Sequence, residues 1–182
     1  MSDKKIYIIM TQTGTVLSRV LKHITGSEYN HTSISLCPDL HYMYSFGRRN
    51  AYNPFWGGFV MESPDFGTFK RFSETKALVL AISVDDETFE EVKTELEAMF
   101  ADKYSYNYDT IGLLLAYFNI IYKRRNHRYC SDYVRDVLVK HGIEDSKLFP
   151  PIVKPMDFLN IPDGEIIYRG KLREFGKISK TT

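Results

Sequence analysis

Residues 5–11 (KIYIIMT) and 76–84 (KALVLAISV) are nearly unbroken runs of apolar, largely β-branched residues. Runs of that length and composition read as buried strands rather than helices. Shorter strand signals stand between and after them. Residues 30–36 (NHTSISL) alternate, with His31, Ser33 and Ser35 on one face and Thr32, Ile34 and Leu36 on the other. Residues 42–46 form another candidate strand, ended by Gly47-Arg48-Arg49-Asn50, and residues 166–169 a short final one. Residues 52–67 hold two Pro and three Gly among large aromatics. They are expected to form an ordered loop or a helix-poor insertion.

Helical periodicity fills the remaining stretches. Val16, Val20 and Ile24 recur at helical spacing, between the turn Thr13-Gly14-Thr15 and a Thr25-Gly26 stop. Asp85-Asp86 opens an acidic helix with Phe89, Val92, Leu96, Met99 and Phe100 on its apolar face. An apolar helix is expected over 111–122, a basic loop over 123–128 (KRRNHR), and a helix over 130–140 with a glycine stop at His141-Gly142. Strands and amphipathic helices in this order predict an α+β fold, a small antiparallel sheet packed on helices.

The chain has 182 residues, which suits a single domain, residues 1–182, able to bury its core without a disulfide or metal staple. Net charge is +1, so no global electrostatic case exists for nucleic acid. The N-terminus lacks the apolar core of a secretory signal. The apolar run at 111–122 falls short of the ~20 residues a membrane span needs. The two cysteines read as free thiols, and a cytoplasmic location follows as an expectation.

A cysteine nucleophile needs a thiolate, a base and donors for an oxyanion. Cys130 stands at a helix start, where free N–H groups and the helix dipole favour a thiolate. The cations of residues 123–128, Arg128 nearest, stand just before it and are expected to lower its pKa further. Cys130 also shares a helical face with Val134, Val137 and Leu138, so a plain core role competes with the nucleophilic one. Cys37, in a turn beside Pro38, lacks a basic neighbourhood. His31, polar on a strand otherwise built to pack, is the candidate base, and a plain role as a strand-edge histidine hydrogen-bonded to its neighbours competes with it. His23, His41, His127 and His141 fall in no metal-ligand pattern, so neither metal nor organic cofactor is implied. The basic cluster at 123–128 is either a solvated loop or a holder for an anionic part of a substrate.

Residues 13–36 (TGTVLSRVLKHITGSEYNHTSISL) and 128–138 (RYCSDYVRDVL) together resemble the circularly permuted NlpC-type papain-like proteins. That group includes the YiiX-like and lecithin:retinol acyltransferase-like branches. A strand and a helix lead into a His that begins a strand, and an aromatic-Cys-Ser helix start follows about a hundred residues later. The order, His before Cys, is the mark of the permuted branch. The resemblance implies a permuted papain-like fold, Cys130 as nucleophile and His31 as base. It also implies hydrolysis or transfer of an amide, ester or thioester acyl group on a peptide, lipid or other acyl substrate. The family's third residue, commonly His or Glu, stands about a dozen residues after the base. The sequence offers Met43, Tyr44 and Ser45 there. Ser45 fits if the turn at Cys37-Pro38-Asp39 carries an even insertion, which preserves the strand's facing. It would then touch the imidazole nitrogen that does not face Cys130, with Tyr44 and His41 as alternatives.

Two rivals remain at this level. One is a non-catalytic member of the fold that binds a peptide or lipid in the same cleft, favoured by the missing acidic third residue. The other is a membrane-surface protein using residues 111–122 and the basic loop as an anchor.

Overall fold

The computed structural model describes residues 4–13, 27–50, 53–109, 112, 115, 120–122 and 127–178. The expected helix at 16–24, its His23, most of the apolar stretch at 111–122 and the cations at 123–126 lie outside the described residues. Among the described residues the chain is a mixed α/β protein built on an eight-stranded sheet. The strands are β1 (Lys4–Gln12), β2 (His31–Ser35), β3 (Met43–Asn50), β4 (Asn53–Glu62), β5 (Lys76–Val84), β6 (Asn107–Tyr108), β7 (His127–Arg128) and β8 (Glu165–Lys171). Their order is β7-β6-β4-β3-β2-β1-β5-β8. All pairs are antiparallel except the short β6–β7 pair. The sheet is therefore wider than the small one expected.

The continuity of the two apolar runs has a direct cause. β1 pairs with β5 along its whole length, with Ile8 opposite Leu80 and Ile9 opposite Val79. Both faces of this pair are covered. On one face Ile6, Ile8, Met10, Ile34, Leu78 and Leu80 join side chains of α2 (Asp86–Ala101) and α3 (Cys130–Lys140) in one core. On the other, Tyr7, Ile9, Met43, Ala77 and Val79 pack with Phe69 of α1 (Gly67–Arg71) and with Leu172 and Phe175 of α4 (Leu172–Ile178). A strand buried on both faces has no place for alternating polar residues.

The helices begin and end where local chemistry directs. Asp85 caps α2 by accepting the Thr88 N–H at 2.7 Å, which satisfies one orphan donor of the first turn. α3 ends at Gly142, whose φ of 65° suits glycine. The Gly142 and Ile143 N–H groups then reach the Val139 and Leu138 carbonyls at 3.2 and 2.9 Å, a Schellman closure. Val134, Val137 and Leu138 are buried. Each such side chain gives about 1.5–3 kcal/mol on leaving water, which fixes α3 against the sheet and with it the position of its first residue.

The largest departure from expectation is at residues 52–67. Residues 53–62 are not a loop but β4, paired with both β3 and β6. The glycines that suggest a loop satisfy needs set by neighbours. At Gly57 a Cβ would lie 2.7 Å from the Cβ of Tyr108 on β6 and 2.9 Å from the Gly47 carbonyl on β3. Only glycine admits that approach. β3 likewise runs on through Gly47, Arg48 and Arg49 rather than ending there. No helix among the described residues is long and apolar enough to cross a membrane.

Candidate active site

Cys130 is the first residue of α3, after Tyr129 in extended conformation, and no side chain caps this helix start. The first turn is held from three directions. The Ser131 hydroxyl donates to the Val153 carbonyl at 2.7 Å. Asp132, buried, pairs with Arg135 and, at 3.4 Å, with Arg128. Tyr133 packs on Phe46 and Phe59 of the sheet, with ring centroids 5.2 and 5.3 Å away. The thiol is thus carried on a rigid element, buried at 3% exposure, at the end of the sheet where β2 begins.

His31 is the first residue of β2. Its side chain is hydrogen-bonded to Cys130, and its Nε2 lies 2.9 Å from Oε2 of Glu62, the last residue of β4. With Nε2 facing the carboxylate, Nδ1 is the ring nitrogen left for the thiol. The Ser33 hydroxyl, two residues along the same face of β2, donates to the same carboxylate oxygen at 2.7 Å and lies 3.3 Å from Nε2. Both members of the His–Glu pair are largely shielded, at 17% and 11% side-chain exposure. Phe69 of α1 closes one side of the imidazole, with ring centroids 6.3 Å apart.

Strand register explains how Glu62 reaches His31 across an intervening strand. β2 and β3 pair through Ile34 and Tyr44, and β3 and β4 through Met43 and Glu62. His31, Ser33, Ser45 and Glu62 therefore share one face of the sheet. Between His31 and Glu62 stands Gly47. A Cβ there would meet Glu62 Oε1 at 3.1 Å and His31 Cε1 at 3.5 Å, so a bare backbone leaves the lane through which the carboxylate approaches the imidazole.

The electrostatics follow from this geometry. Burial by itself disfavours the imidazolium, but the Glu62 carboxylate and the hydrogen bond to Cys130 outweigh it and push His31 up to about 10. Burial likewise opposes the Cys130 thiolate. The bond and charge of His31, with backbone N–H groups of Thr32 and Ser131, reverse that and hold the thiol below its ordinary value. The arrangement is that of a thiolate–imidazolium pair braced by a carboxylate. Cys37, partly buried in its turn, is shifted the opposite way, because burial raises its thiol.

The structure thus brings Cys130 and His31 together and separates Ser45 from them. Ser45 does share His31's face, as the parity of its strand implies. Its hydroxyl, however, donates to the Thr32 carbonyl at 2.6 Å and ties β3 to β2 instead of touching the imidazole. The position beside Nε2 belongs to Glu62, whose longer side chain carries a charge that serine lacks. The alternatives also fall elsewhere. Tyr44 stacks on Phe59 at 6.1 Å, and His41 is exposed in a turn 4.0 Å from Asp65. Glu62 was hidden in the sequence because the segment carrying it looks like a loop. The run FVME that ends it, three apolar residues and a carboxylate after the glycines, is the signal that could have marked a strand with a terminal carboxylate.

A second correction concerns the cation expected to depress the Cys130 thiol. Arg128 lies 2.6 Å from Asp136 and 3.4 Å from Asp132, so its charge is engaged by α3's own carboxylates. His31 takes that role instead. Tyr108, unnoticed in the sequence, faces the site: burial and the charges of Cys130 and Glu62 hold its phenol well above the ordinary range. Comparisons with protein-family models, with curated proteins and with solved structures find no match to this chain.

Proposed function

We propose that this chain is a cysteine hydrolase or acyltransferase of the circularly permuted papain-like type, acting on an amide, ester or thioester. The observation that carries this reading is the imidazole of His31 lying between Cys130 and Glu62, with the sulfur on the first residue of a helix.

The chemistry follows from these positions. The Cys130 thiolate attacks the acyl carbonyl carbon and forms a C–S bond while the carbonyl π pair moves onto oxygen. The first-turn N–H groups of α3, with the positive end of its dipole, stabilise that oxyanion. The imidazolium of His31 gives its proton to the leaving nitrogen, oxygen or sulfur as that bond breaks. A thioester on Cys130 remains. The now neutral imidazole takes a proton from water, or from another acceptor, as it attacks the thioester, and collapse restores the thiolate–imidazolium pair. Glu62 holds the ring with Nδ1 toward the sulfur and stabilises the imidazolium. Neither task could be met in full by a neutral hydroxyl. The acidic third residue whose apparent lack favoured a non-catalytic binding cleft is thereby supplied from β4.

Incubation with p-nitrophenyl esters tests the reading. Intact mass should show an acyl adduct mapping to Cys130, with turnover that is lost in Cys130→Ala and strongly reduced in His31→Ala. A folded protein that forms no adduct on Cys130 near neutral pH would overturn it.

A further inference from the structure

The Glu62 carboxylate ends a long side chain on the last residue of β4. It reaches His31 past β3, over the bare backbone of Gly47, and nothing along that path grips it. Among the described residues the carboxylate has two hydrogen-bond partners, His31 and Ser33. Ser33 stands in the middle of β2, fully buried, on the face of His31 two residues away. Its hydroxyl turns on a single bond, so the strand itself fixes where it points. That hydroxyl lies 2.7 Å from Glu62 Oε2 and 3.3 Å from His31 Nε2, and the shorter contact takes its proton. Oε2 therefore receives two donors from one strand, the Nε2–H at 2.9 Å and the Ser33 hydroxyl at 2.7 Å.

These two donors contribute differently as the reaction proceeds. While His31 is an imidazolium, opposite charges hold ring and carboxylate together. Once His31 has given its proton to the leaving group, that attraction is gone. The remaining ring proton must then stay on Nε2, because Nδ1 faces the sulfur and has to take a proton from the attacking water. The opposite tautomer would turn a lone pair toward the carboxylate and block that step. Which ring nitrogen keeps the proton is set by the hydrogen bond the other partner makes, and a carboxylate that swings away no longer sets it. In the neutral state the ring holds Glu62 by one hydrogen bond from an uncharged donor, and the Ser33 hydroxyl supplies the second.

We propose that Ser33 is a positioning residue for the second half of the reaction, keeping Glu62 against His31 while the imidazole is neutral. The proposal rests on the acyl-transfer reading for its two half-reactions, but its effect on the neutral imidazole can be read without catalysis.

The first arm uses the full-length Cys130→Ala protein and 15N NMR of the His31 ring, assigned by its loss in His31→Ala, on the alkaline side of the His31 titration. With Ser33 present the neutral ring should carry its proton on Nε2. With Ser33→Ala added, the two ring nitrogens should move toward the averaged signals of mixed tautomers. That substitution removes one oxygen and adds nothing, so it leaves the packing of β2 as it is. An unchanged Nε2–H signature overturns the proposal. The second arm follows p-nitrophenyl acetate through its initial burst and its steady state. Ser33→Ala should slow steady-state release of the acyl group by about fivefold, roughly the worth of one neutral hydrogen bond, and the burst by less than about twofold. In Glu62→Ala, where the hydroxyl has no carboxylate to hold, the same substitution should change neither phase. Equal slowing of both phases, or the same loss with and without Glu62, is what a purely structural serine would give and overturns the proposal. Failure of the ester to acylate Cys130, with the tautomer still dependent on Ser33, would sink the enzyme reading and leave Ser33 as the residue that holds Glu62 on the neutral ring.

Discussion

Replacing Glu62 by glutamine removes one charge while keeping the shape of the side chain. The carboxylate lies 2.9 Å from His31 Nε2, and both groups are well shielded, so little of the interaction is screened by solvent. Two unit charges about 4 Å apart attract by about 4 kcal/mol at the effective dielectric of ~20 suited to such sites. At 1.36 kcal/mol per unit this amounts to about 3 units of imidazole pKa. His31, held at about 10, should fall to within about a unit of its ordinary value. The imidazolium then no longer holds the Cys130 thiolate, and the pair reverts toward neutral thiol and neutral imidazole. The sign is definite: the native pair persists from the depressed thiol pKa of Cys130 up to about 10, where the imidazolium loses its proton. Iodoacetamide alkylation of Cys130, followed by peptide mass from pH 5 to 10, should be nearly flat through the neutral range in the native protein. In Glu62→Gln it should be at least tenfold slower at pH 7 and should climb with pH toward ordinary thiol behaviour. Circular dichroism would confirm the fold. An unchanged rate and profile in a folded variant would refute the role given to Glu62.

Brief iodoacetamide treatment of the native protein near neutral pH should label Cys130 ahead of Cys37, because His31 lowers the first thiol while burial raises the second; equal labelling or the reverse order contradicts the ion pair. Ser45→Ala should cost about 0.5–1.5 kcal/mol in urea unfolding, the worth of a neutral hydrogen bond, with Cys130 alkylation near the native rate, since its hydroxyl serves the Thr32 carbonyl. A selective loss of reactivity in a stable Ser45→Ala protein would return that hydroxyl to the site. In Gly47→Ala the new Cβ would press on Glu62 Oε1 at 3.1 Å and Val60 Cγ2 at 3.2 Å. Cys130 reactivity at pH 7 should drop severalfold, with a stability loss of about 1–3 kcal/mol; native reactivity would show that the lane between His31 and Glu62 tolerates a methyl group.

The sequence by itself determined the parts of this protein that local rules specify. The two β-branched runs had to be buried strands, and they became the paired interior strands β1 and β5, covered on both faces. The alternation of residues 30–36 placed His31 and Ser33 on one face, and β2 bears this out in the contact of both with one carboxylate oxygen. The start of α3 at Cys130 and its stop at Gly142 were legible because helix ends are set by residues next to each other in the chain. Tertiary structure decided what those rules cannot reach. Whether Gly57 belongs to a loop or a strand depends on Tyr108, about fifty residues away, whose backbone-hugging side chain demands a glycine beneath it. That question in turn decided whether Glu62 ends a strand or floats in a loop, and so whether His31 has a carboxylate partner. Ser45 had the right parity and the wrong partner, since register sets the face a side chain occupies but not the atom it meets. Arg128 stood close to Cys130 in the chain, yet the helix periodicity of Asp132 and Asp136 drew its charge away. Adjacency in sequence places a group near a site, whereas competition among all the groups folded around it decides which of them acts there.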